Sequence, residues 1–148
     1  MTIYLSIPIT GKCELSQRKK AKMFQRYFEA LGNEVVNPFD IYDQLRKCHP
    51  MISGKEPTYE EILREDLCNL EWCSHIFLCD GWTESKGCIT EVEKALEYNI
   101  KVLLGFHYSD FWADPAVQLL PKAWEKDRNN QEKMCSTVYE FTKQTLEQ

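Results

Sequence analysis

No run of apolar residues in this 148-residue chain approaches the ~20 needed for a membrane-spanning helix. The chain also lacks a positive charge balance: Lys plus Arg total 18 against 23 Asp plus Glu, a formal net charge of -5. That balance argues against a protein that holds polymeric nucleic acid by bulk electrostatics. Seven cysteines are present, but no two stand as C-x-x-C, so the commonest spacing of a structural zinc site is missing. Cys73, His75 and Cys79 lie in or beside an apolar strand-like run, whose alternating sides would scatter them, and no metal is expected. With three histidines in all, nothing places a Ser/His or Cys/His nucleophile pair together. The P-loop and the three-glycine dinucleotide fingerprint are absent; Gly11-Lys12 has no earlier glycine to complete the first. Cys13 and Arg18 are separated by four residues, one short of a cysteine-phosphatase loop.

What is there is an ordinary globular composition, 43% apolar and 28% charged. The length suits one domain, expected over 1–148 with 105–148 as an extension of it. No leader is recognised before the first strand-like run, an odd cysteine count argues against a disulfide framework, and the cytoplasm is the expected compartment.

Apolar periodicity predicts a strand over 2–7, a helix over 16–31 with Ala21, Phe24, Phe28 and Leu31 inward, and a strand over 34–37. Residues 39–57 are polar, carry Pro50, Gly54 and Pro57, and are expected to be a long loop. Thr58 and Glu61 form the sequence signature of a capping box for a helix reaching about Trp72. A continuous apolar strand over 75–79, a turn over 81–87, a helix over 88–98 and a strand over 100–104 follow. Residues beyond 104 read as an aromatic stretch and then a polar helix. Trp72 and Phe77 are expected in the core, as are most cysteines.

The alternation of strands and helices predicts an α/β fold, a flavodoxin- or Rossmann-like three-layer sandwich with a small parallel sheet of four or five strands. In such sheets ligands bind beyond the carboxyl ends of the strands, where strand order reverses. The candidate loops are therefore 6–13, 37–57 and 80–87. Within them carboxylate chemistry is the surviving option. Glu91 is expected at a helix start that keeps it ionised. It reads equally as a residue favoured in a first helical turn, and Asp66 as a solvated helix-face residue.

The ordered elements Pro8-Ile9-Thr10-Gly11, Val36-Asn37-Pro38, Asp66-Leu67, Cys79-Asp80-Gly81-Trp82 and Ser85-x-Gly87-x-x-x-Glu91 resemble the nucleoside 2-deoxyribosyltransferase superfamily, in its small phage and bacterial branch. The resemblance covers residues 2 to about 104. It implies Glu91 as the nucleophile of a retaining mechanism, Tyr4 as the hydroxyl that orients it and Asp66 as proton donor to the leaving base. It also implies a substrate site built from Ser6, Pro8, Ile9, Thr10, Gly11, Asn37, Pro38, Asp80, Gly81, Trp82, Ser85 and Gly87. Ser85, where base-exchanging members hold Asp, points to a nucleoside 5′-monophosphate; it is also a generic helix cap. Lys86 would add a phosphate contact, whereas Pro8 departs from the phosphate-binding pattern. Tyr42, Phe39 and above all Trp82 are expected to stack on a base.

The expected function is a nucleotide N-glycosidase acting on a nucleoside or nucleoside 5′-monophosphate. Base exchange by a 2-deoxyribosyltransferase and a non-catalytic nucleotide sensor are the alternatives. No cofactor, metal, nucleic-acid polymer or membrane is called for. A homodimer or higher homo-oligomer is implied, because family members complete the site with a neighbouring subunit.

Overall fold

The computed structural model describes residues 1–79, 81–104 and 139–141. Asp80, Cys135 and nearly all of the expected extension lie outside the described residues. Five strands form one sheet in the order β2-β1-β3-β4-β5: Thr2–Ser6 (β1), Glu34–Val36 (β2), His75–Leu78 (β3), Lys101–Leu104 (β4) and Tyr139–Phe141 (β5). The first four are mutually parallel, and β5 pairs antiparallel with β4, Leu104 opposite Tyr139. This is the expected α/β sandwich. The polar helix expected after 104 is contradicted at 139–141, which are strand.

Among the described residues four α-helices cover the sheet: Glu14–Ala30 (α1), Pro38–Ser53 (α2), Tyr59–Leu70 (α3) and Lys86–Glu97 (α4). Strand alternation divides the core in two. Ile3, Leu5, Ile7, Phe77 and Cys79 pack with Ala21 and Phe28 of α1. On that side the Phe24 and Phe28 rings stand 4.8 and 5.0 Å from Phe77. Tyr4, Ile76, Leu78 and Val102 face the other way, against Leu70 of α3 and Cys88, Val92 and Ala95 of α4. The parity that sends Ile3 and Leu5 to α1 therefore sends Tyr4 and Ser6 toward α4.

The expected loop over 39–57 is mostly the helix α2. Its signals are local: the Asn37 carboxamide caps it by accepting from the Phe39 N–H at 3.0 Å, and Pro38 occupies the first turn. Pro50 lies inside the last turn and withholds the N–H that would bond back four residues, close to where Gly54 (φ 74°) ends the helix left-handed. Arg18 ties α2 to α1 through two hydrogen bonds to Asp43, 2.8 and 2.7 Å, and lies 4.7 Å over the Phe39 ring. The Thr58–Glu61 capping box forms as read, with the Thr58 hydroxyl accepting from the Glu61 N–H at 3.2 Å.

Three burial expectations need correction. Trp72 lies just beyond α3 and is 87% exposed rather than in the core. Leu31 follows the last turn of α1 and points to solvent. The six described cysteines divide evenly: Cys73, Cys79 and Cys88 are buried, whereas Cys13, Cys48 and Cys68 are exposed. Among the described residues, no helix is long and apolar enough to cross a membrane.

Candidate active site

Strand order reverses between β1 and β3, and a cavity of about 620 Å³ opens at their carboxyl ends. Its floor is Ile7 with the loop residues Ile9 and Thr10; one wall is Pro38, Phe39 and Tyr42 of α2. A second wall is Tyr59, Ile62, Leu63 and Asp66 of α3, and the third runs from Glu84 to Glu91. The α3 residues follow i, i+3, i+4, i+7 spacing, which puts them on one helical face.

Glu91 is buried in the middle of α4, 6% exposed, and its Oε1 accepts a 3.0 Å hydrogen bond from the Ser6 hydroxyl. It stands five residues past Lys86, beyond the first turn in which the helix dipole acts strongly. The expectation that a helix start keeps it ionised is therefore corrected. Burial dominates and pushes its pKa up to about 7, against the downward pull of the Tyr4 and Ser6 hydroxyls. Tyr4 is completely buried and its hydroxyl makes no well-aligned hydrogen bond. It nevertheless lies close enough to Glu91 to lower that carboxyl. Its own pKa rises well above the usual phenol range, through burial first and then the Glu91 and Asp66 charges. Tyr4 thus remains a proton-bearing donor across the physiological range.

Asp66 is no solvated face residue. It is 9% exposed, and its Oδ1 is buried without a hydrogen-bond partner. Burial pushes its pKa up to about 8, and the charges of Glu91 and Glu65 add to the rise. Two carboxyls on one cavity, each displaced toward neutrality and influencing each other, titrate as a coupled pair. Near neutral pH such a pair holds about one proton between its two members. One group can then give a proton while the other carries charge.

The remaining expected site residues divide. Ser6 joins the carboxyl pair; Ile9, Thr10, Pro38, Ser85 and Gly87 line the cavity. Ser85 also caps α4, accepting from the Cys88 N–H at 3.3 Å. Pro8 and Gly81 sit behind the floor: a Cβ on Gly81 (φ 83°) would lie 3.5 Å from the Pro8 ring. Gly11 is an exposed turn residue at φ 76°. Asn37 is occupied as the α2 cap and donates to Gln25 at 3.2 Å, a structural role. Trp82 is not a stacking platform; it is 3% exposed and packed in the α4-side core. Phe39 and Tyr42 do reach the cavity. Glu14, Tyr59, Ile62, Leu63, Glu84 and Cys88 also line it and were not singled out from sequence. The helical spacing of Tyr59, Ile62 and Leu63 with Asp66 was the signal for three of them. Among the described residues no group of three His, Cys, Asp or Glu side chains converges as a metal site.

Two family models match the chain. The domain of unknown function DUF4406 matches residues 1–104, and glycosyl hydrolase family 53 matches residues 69–148. The chain belongs to both families. Tyr4, Ser6 and Asp66 fall in the DUF4406 match alone, whereas Glu91 falls in the stretch that the two share. The segment after 104, outside the motifs that carry the resemblance to the 2-deoxyribosyltransferases, lies within the glycosyl hydrolase match. The endo-β-1,4-galactanase of Bacillus subtilis (strain 168) is 47% identical over 64 residues, 38% of this chain and 14% of the galactanase. An arabinogalactan endo-β-1,4-galactanase of Cellvibrio japonicus is 35% identical over 65 residues, 44% of this chain and 17% of the relative. One of Humicola insolens is 32% identical over 95 residues, 62% and 27%. The chain thus spans less than a third of the length of these relatives. No solved structure matches it significantly.

These matches overturn the chemistry expected from sequence. The family is one of glycosyl hydrolases and the relatives are galactanases, so nucleotide N-glycosidase, base exchange and nucleotide sensing are all withdrawn. The nucleoside or nucleoside 5′-monophosphate ligand goes with them, as does the neighbouring subunit that the resemblance implied for its site. Hydrolase and glycosidase are the parts that agree with the matches.

Proposed function

We propose that the chain is a glycoside hydrolase that cleaves a galactan-type glycosidic bond between the carboxyls of Glu91 and Asp66. The observation that carries this reading is the pair itself: two buried carboxyls lining one cavity, pushed to about 7 and about 8, far above ordinary carboxylate values. Glycosidic cleavage passes through an oxocarbenium-like transition state that needs a negative partner at the anomeric carbon and a proton at the departing oxygen. Glu91 is the partner, held by the Ser6 hydroxyl and faced by Tyr4. Asp66 is the proton donor. Water supplies the hydroxyl that ends on the anomeric carbon, and its proton restores the pair. Phe39, Tyr42 and Tyr59 present apolar faces to the sugar rings.

A cavity of about 620 Å³ accommodates a short piece of saccharide rather than a long polymer laid across it. The galactanase relatives support the galactan-type sugar, within the short spans that they share with this chain. Kinship with the nucleoside 2-deoxyribosyltransferase superfamily belongs to this proposal as architecture only. It accounts for the order Tyr4, Asp66, Glu91 and says nothing of the ligand. The pairing of β5 with β4 supports reading 1–148 as one domain.

The test is release of reducing ends from β-1,4-galactan, arabinogalactan and galacto-oligosaccharides by the full chain. Release that Glu91→Gln abolishes supports the reading; no release from any of the three contradicts it.

A further inference from the structure

The charge lining the cavity is one-sided. Among the described residues four carboxyls line it, Glu14, Asp66, Glu84 and Glu91, against one ammonium, that of Lys86; with one proton shared by the buried pair, about three of the four are charged near neutral pH. Arg18 stands 3.8 Å from the Glu14 carboxylate but is engaged by Asp43 through two short hydrogen bonds. Deeper in, Asp66 is more than nine-tenths buried with an oxygen that no protein donor satisfies, and the completely buried Tyr4 hydroxyl makes no well-aligned bond. A carboxyl oxygen left unpaired at that depth calls for a hydrogen-bond donor from the ligand.

We propose that the cavity selects glycosides by charge: it accepts a neutral or amino-bearing sugar ring and rejects one carrying a carboxylate or phosphate, with Glu14 and Glu84 as the specificity-determining residues at its exposed rim. The inference rests on the glycosidase reading for the kind of ligand, and on the distribution of carboxyls for its charge. Glu14 opens α1 and Glu84 ends the turn before α4; both are exposed and both line the cavity. An anionic substituent entering past them meets like charge, and deeper in meets Glu91 and an unpaired oxygen of Asp66. Neutral hydroxyls and an ammonium instead supply the donor that the Asp66 oxygen lacks. Neither rim residue belongs to the buried pair, so their charge can be removed without touching the reacting groups.

The experiment is calorimetric binding of four probes that share one ring: galactose, galactosamine, galacturonate and galactose 6-phosphate. The full chain is compared with Glu14→Gln/Glu84→Gln at low salt. Galactose and galactosamine should bind at least about tenfold more tightly than the two anions, the scale of one or two like charges several ångströms away in a partly screened site. The double variant should narrow that gap to about twofold. Anions that bind as well as galactose, a gap that the double variant leaves intact, or no binding of any probe would each overturn the proposal. The expected order of affinities without hydrolysis of any galactan would overturn the glycosidase reading and leave the charge selection standing.

Discussion

The Ser6 hydroxyl at the end of β1 donates a 3.0 Å hydrogen bond to Glu91 Oε1 in the middle of α4. Both residues are buried, so the contact couples an inner strand of the sheet to the helix that carries the proposed nucleophile. Ser6→Ala removes a donor that stabilises the charged form of Glu91. The acid limb of the pH–rate profile should therefore move to higher pH. The maximal rate should change less than in Glu91→Gln, which is expected to lose roughly 10³-fold or more as a missing nucleophile does. A titration of rate against pH for the three proteins checks this.

The two raised carboxyls set the shape of that profile. With Glu91 at about 7 and Asp66 at about 8, only a narrow range of pH has one ionised and the other protonated. Activity should follow a bell centred near pH 7.5, with both limbs within about one pH unit of the centre. A profile flat from pH 5 to 9 would show that the pair does not govern the reaction.

The same burial predicts a stability effect with a definite sign. Asp66 has a folded pKa of about 8 against an ordinary value of 3.8, so the folded state keeps a proton that the unfolded state has lost. Its contribution is fully present below 3.8 and is lost as pH rises toward about 8. Glu91 behaves alike between 4.5 and about 7. Asp66→Asn does not titrate. Its Tm should rise relative to the parent as pH increases across this window and then level off above about 8. Thermal unfolding at pH 4 to 9 measures the difference, and a constant offset would refute the assignment.

Gly87 lies on the cavity in the first turn of α4, where a Cβ would come within 3.3 Å of the Tyr59 hydroxyl. Tyr59 is 52% exposed and can rotate away. Gly87→Ala should then leave stability unchanged or raise it by about 0.5–1 kcal/mol through helix propensity. The displaced ring narrows the cavity, and KM for oligosaccharide should rise with little loss in kcat. Steady-state kinetics with a parallel melting curve separate the two effects.

Much of the fold was legible because it rests on local patterns. The alternation in Ile3-Tyr4-Leu5-Ser6, the stripe of Ala21, Phe24 and Phe28, and the Thr58–Glu61 box all point one way. α2 escaped because its polar surface and Pro50 imitate a loop. Its Asn37 cap, Pro38 and Gly54 were the better evidence. In the site, the motif order brought Tyr4, Ser6, Asp66 and Glu91 together, but burial decided their chemistry. A helix-start argument predicts a low pKa for Glu91, and only the packing of β1 against α4 reveals the opposite. Trp82 shows the same limit: a tryptophan beside a glycine turn reads as a platform until its ring is found in the core. The ligand class was misread because the motifs extend only to about residue 104, whereas the glycosyl hydrolase match runs to 148.

The division of labour between Asp66 and Glu91 is tested most directly by changing the leaving group. Asp66→Asn should be assayed on a galacto-oligosaccharide, whose leaving oxygen needs a proton, and on nitrophenyl β-galactoside, whose leaving group does not. The account predicts a loss of roughly 10²–10⁴-fold on the oligosaccharide and less than about tenfold on the nitrophenyl glycoside. Equal losses on both substrates would contradict Asp66 as the proton donor.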